Sequence, residues 1–70
     1  MNSDHALAIG MLNGYVQSML DPQCSTIAVK ASANTATLIF RTLGVISAKE
    51  DSHYTERLLR AYARREGRAP

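Results

Sequence analysis

Arg57, Arg60, Arg64 and Arg68 are spaced three, four and four residues apart. On a helix, where each residue advances ~100°, they share one stripe. Guanidinium groups in such a row donate paired hydrogen bonds to carboxylates or phosphates. Tyr54, Leu58 and Tyr62 form a neighbouring stripe, with Leu59 beside it. Arginine and tyrosine dominate the energetics of protein interfaces. The candidate partner-binding set is therefore Tyr54, Arg57, Arg60, Tyr62, Arg64 and Arg68. A plainer reading stands beside it. Basic residues near a helix C-terminus, with Glu50 and Asp51 at its start, simply complement the helix dipole.

Other chemistry has little to stand on. His5, His53 and Cys24 lie far apart and show no metal-ligand spacing. Most carboxylates fall at helix starts, where the dipole accounts for them. Glu50 and Asp51 are adjacent, so on a helix they diverge and make no acid–base pair. Glycines at 10, 14, 44 and 67 match no phosphate loop or dinucleotide fingerprint. Cys24 reads as a small buried hydrophobe rather than a nucleophile. No catalytic residue, metal site or cofactor is expected, and the chain reads as a binding protein rather than an enzyme.

Acidic proteins and nucleic acids are the two partner classes that the arginines suit. Residues 1–46 carry Lys30 and Arg41 against Asp4 and Asp21, so the net +2 arises wholly in residues 47–70. That is modest for a phosphate binder. Residues 40–60 have the outline of a helix-turn-helix, in which the start of the second helix meets bases and phosphates. Here that start is Lys49-Glu50-Asp51, and its two acids repel phosphate. The expected role is a small protein-binding module (a regulator, adaptor or inhibitor) that occupies another protein's surface. Nucleic-acid binding through the arginine stripe is the alternative.

These groups must be held by helices. Ser3 and Asp4 suit the start of a helix over about 4–20, with Ala8, Ile9, Leu12, Tyr15, Val16, Met19 and Leu20 on one side. An Asn13-Gly14 hairpin turn is the rival reading there. Gly10, Gly14 and Ser18 are either tolerated surface positions or a groove for close helix packing. Asp21-Pro22 ends this helix and can start the next, over about 23–43, with Ser25 as a second candidate cap. Val29, Ala33, Ala36, Phe40 and Leu43 give that segment an inner face, and Lys30, Asn34, Thr37 and Arg41 an outer one. A β-hairpin over 26–43 competes, because Thr, Ile and Val favour sheet. Gly44 suits a left-handed helix stop, with Val45 reaching back to Phe40. Ser47-Ala48-Lys49-Glu50 is a capping box that opens a last helix over about 47–66. Gly67 stops it, and residues 67–70 read as a frayed tail.

The expected architecture is therefore all-α, a single domain of two or three helices. Its core is Ile9, Leu12, Val16 and Met19 against Val29, Ala33, Ala36 and Phe40. Much of the apolar content is alanine, and a 70-residue chain with one cysteine has no internal disulfide to compensate for a thin core. Self-association, with a homodimer favoured, is expected to complete it. Leu7, Met11, Ile39 and Ile46 would meet the second subunit. The N-terminus lacks a basic leader region, and no apolar run is long enough to span a bilayer. No membrane partner is expected, and the expected compartment is the cytoplasm.

Overall fold

The computed structural model describes residues 3–67, which form three helices: α1 (Ser3–Leu20), α2 (Thr26–Thr42) and α3 (Ala48–Arg65). There is no strand among the described residues, so the hairpin readings at Asn13-Gly14 and over 26–43 both fall away. The periodicity of apolar residues over two full helices outweighs the sheet preference of individual Thr, Ile and Val side chains.

Local capping chemistry fixes the breaks. α2 starts later than the Asp21-Pro22 reading implies. Ser25 is its N-cap, and the hydroxyl accepts from the Ala28 amide at 3.2 Å. Asp21 serves the turn before it instead, where its carboxylate accepts from the Gln23 amide at 2.8 Å. Gly44 ends α2 with φ +72, a conformation that costs any residue with a Cβ. Its amide donates to the Arg41 carbonyl and the Val45 amide to the Phe40 carbonyl, the pair of bonds that defines a Schellman stop. Ser47 then opens α3 with the expected capping box. Its hydroxyl accepts from the Glu50 amide at 3.0 Å, and its own amide donates to the Glu50 carboxylate at 2.8 Å. Ser3 lies inside the first turn of α1, so the cap of that helix falls outside the described residues. Of the expected frayed tail, Gly67 is a turn with φ +74, and residues 68–70 lie outside the described range.

Polar bonds between distant residues establish the direction of the helices. His5 meets Glu50, Asn13 meets Arg57, and Met19 meets Arg65, at sequence separations of 45, 44 and 46. A constant offset means that α1 and α3 run parallel. The short loop over residues 21–25 turns α2 back against the α1/α3 pair, antiparallel to both, and the Arg41–Asp51 ion pair at 3.0 Å joins the end of α2 to the start of α3. The bundle is thin, with principal dimensions of 40 × 21 × 16 Å. At helix separations of ~8–10 Å, that leaves room for one layer of interior side chains.

That layer is Ala8, Leu12, Val16 and Met19 of α1, Val29 and Ala33 of α2, and Tyr54, Leu58 and Ala61 of α3. Alanine at 8, 33 and 61 lets the backbones approach, and among the described residues the largest fully enclosed side chains are Leu12 and Met19. Three side chains depart from the expected faces. Ile46, expected at a subunit contact, is 4% exposed and belongs to the core, because the turn at Gly44 points the chain back over the helices. Leu43, expected inside, is 70% exposed. Thr37, expected outside, is buried, and its hydroxyl donates to the Ala33 carbonyl at 2.7 Å, so burial leaves no polar group unpaired.

Candidate functional site

α3 divides the predicted partner-binding residues between its two flanks. On the α1 side, Arg57, Arg60 and Arg64 line a groove of about 220 Å³ together with Val16 and Leu20 of α1 and Ala61 of α3. On the α2 side, Tyr62 packs with Lys30, whose ammonium lies 5.1 Å from the ring centroid. Tyr54 is on neither flank. It faces the core at 8% exposure and presents little surface to a partner. The spacing that aligned Tyr54 with Leu58 gave the reason in advance, since Leu58 is core and Tyr54 shares its helical phase. Arg68 lies outside the described residues.

The three groove arginines differ in freedom. Arg57 is half-buried and held twice. Its guanidinium donates to the Asn13 side-chain oxygen at 2.9 Å and stacks 5.4 Å from the Tyr54 ring centroid. Arg60 pairs with Glu56 one turn earlier, an exposed bond that contributes little and exchanges readily with another acid. Arg64 is exposed on the groove rim. The site is thus one anchored guanidinium and two exposed ones above an apolar floor of Val16, Leu20 and Ala61. A carboxylate entering it meets several N–H donors, and an apolar side chain beside that carboxylate finds the floor.

Arg65 is the functional group that the stripe pattern does not contain. It donates to the main-chain carbonyls of Met19 at 2.9 Å and Cys24 at 3.0 Å, and also to that of Asp21. These include carbonyls that the C-terminus of α1 leaves without helical partners. A signal for it exists in the sequence. Arg65 has the helical phase of Leu58 and Ala61, and an arginine on a buried stripe needs internal acceptors.

At the opposite end of the bundle, His5 Nε2 lies 2.6 Å from Glu50 Oε2. The Glu50 carboxyl is held below its ordinary value, first by the Ser47 amide and then by the His5 ring. Glu50 is therefore committed to the cap and to His5, and Asp51 to Arg41, so the start of α3 presents two engaged carboxylates. The rings of His53 and Tyr54 meet in a T-shaped arrangement, with centroids 5.0 Å apart. Cys24 is a half-buried free thiol. Among the described residues no group of three His, Cys, Asp or Glu side chains is placed to hold a metal, and no helix is long and apolar enough to cross a membrane.

No protein-family model, no curated protein and no solved structure matches this chain. Its fold and site therefore rest on its own residues.

Proposed function

We propose that this chain is a small, non-enzymatic protein-binding module that receives an acidic, amphipathic segment of another protein in the groove between α1 and α3. One observation carries the reading: Arg57, Arg60 and Arg64 stand along one wall of a groove whose floor is apolar. Arginine beside an apolar pocket is the composition of an interface centre, where a charged pair forms next to desolvated contact. A phosphate backbone would use the arginines and leave Val16, Leu20 and Ala61 unused. A module of this kind acts by occupying its partner's surface, as a regulator, adaptor or inhibitor does.

Fluorescence anisotropy tests the reading with three probes: an acidic amphipathic helical peptide, an equally acidic peptide without apolar residues, and duplex DNA. The amphipathic peptide is expected to bind best, and the Arg60→Ala/Arg64→Ala double variant to lose at least ~10-fold in affinity. Arg57 is left intact because it is tied to Asn13 and Tyr54. Tighter binding of DNA, with a steep salt dependence lost in the same variant, would give the groove to nucleic acid instead. Equal binding of all probes by wild type and variant would overturn both.

A further inference from the structure

Four large apolar side chains remain exposed along the seam between α1 and α2. Leu7 and Met11 are one turn apart on α1, and Ile39 of α2 lies one turn before Leu43, the residue that caps that helix. The two helices are antiparallel, so the first half of α1 lies beside the second half of α2, and the four residues share one face. Between them runs a groove of about 490 Å³, lined by Met11, Tyr15, Ser32, Ala36, Ile39 and Phe40 among others. No charged side chain lines it, and α3 contributes nothing to it.

We propose that this face docks a second copy of the chain, with two α1/α2 pairs closing into a four-helix core about a twofold axis. Area is the first argument. Helices of 17 and 18 residues are ~27 Å long and together ~20 Å wide, so the face offers on the order of 600 Å². That is the lower bound of what each partner contributes to a stable interface. Charge is the second. In a twofold contact each surface meets itself, so a groove whose lining carries no formal charge closes on its copy without repulsion. The arginine groove would set like charges against each other and is unsuited to such a contact. The interior is the third. Among the described residues the largest fully enclosed side chains are Leu12 and Met19, while Leu7, Met11, Ile39 and Leu43 stay 44–70% exposed, so the single chain has a thin interior beside an uncovered apolar face. Ala31, Ser32, Thr35 and Ala36 keep the groove floor low, so that Met11 and Ile39 of each copy seat in the groove of the other. The dimer leaves the α1/α3 groove open, so pairing and partner binding are separable.

Sedimentation equilibrium from low to high micromolar concentration reads the proposal. Wild type is expected as a dimer. Ile39→Glu and Thr35→Arg are each expected to raise the dissociation constant at least ~10-fold, because each buries an unpaired charge in the contact. Leu59→Glu, on exposed α3, is expected to leave the dimer intact. Circular dichroism checks that each variant is helical, and Thr35, being exposed, decides the matter if Ile39→Glu unfolds. A wild type that stays monomeric at high micromolar concentration overturns the proposal and leaves the face to a different chain. A dimer that survives both substitutions overturns it as well. Peptide binding by the monomeric variants separates this outcome from failure of the α1/α3 groove.

Discussion

The guanidinium of Arg65 donates to the main-chain carbonyl of Met19 across a sequence separation of 46 residues, at 2.9 Å. The same side chain reaches the carbonyls of Asp21 and Cys24, so one residue of α3 secures the end of α1 and the loop that follows. Hydrogen bonds with a charged donor contribute ~1.5–3 kcal/mol each at most, and the three share one partly exposed group.

Arg65→Met keeps the stem of the side chain and removes the donors. It is expected to destabilise the protein by about 2 kcal/mol in urea denaturation, against less than ~0.5 kcal/mol for Arg64→Met on the rim. Equal effects of the two substitutions would deny Arg65 its clamping role.

Gly10 and Gly14 stand on the outer side of α1, and a Cβ added at either meets nothing within 4 Å. Gly10→Ala and Gly14→Ala are each expected to stabilise the helix by ~0.5–1 kcal/mol, read as a rise in thermal midpoint. A loss of stability at either position in the monomeric Thr35→Arg background would mean that the added methyl is not accommodated within the single chain.

The Glu50 carboxyl titrates below the ordinary glutamate range in the folded chain, chiefly because the Ser47 amide donates to it. A depressed carboxyl favours the folded state above its unfolded pKa, and that contribution is lost as pH falls through the folded value. Wild type is therefore expected to lose thermal midpoint on acidification between those two values. Glu50→Gln still accepts from the Ser47 amide but does not titrate, and it should flatten this part of the pH profile. An unchanged profile in the variant would assign the acid sensitivity to other groups.

Local chemistry made the helix ends readable. Gly44 and Ser47 each carry a self-contained signal, a left-handed stop and a capping box, and both form as the sequence implies. The start of α2 was harder, because Asp21-Pro22 and Ser25 are both competent caps, and only the turn between them decides. Side-chain placement near the ends was least readable. Ile46 is buried because of the path of the chain after Gly44, which periodicity does not describe, and Leu43, as the cap residue at the very end of α2, is exposed. In the candidate site, the spacing of Arg57, Arg60 and Arg64 is what brings the three to one groove. It did not show that Val16 and Leu20 complete the groove, since that depends on α1 lying parallel to α3.

That parallel pairing sets the order in which the molecule can form. α1 packs more extensively on α3 than on α2, its neighbour in sequence. The first helix made therefore waits for the last, and the hairpin of α1 and α2 alone has little interior to hold it. Closing the large loop between Met19 and Arg65 is expected to fall within the rate-limiting event of folding, which a slower refolding rate of Arg65→Met would show. A growing chain gains its native state only once α3 is complete.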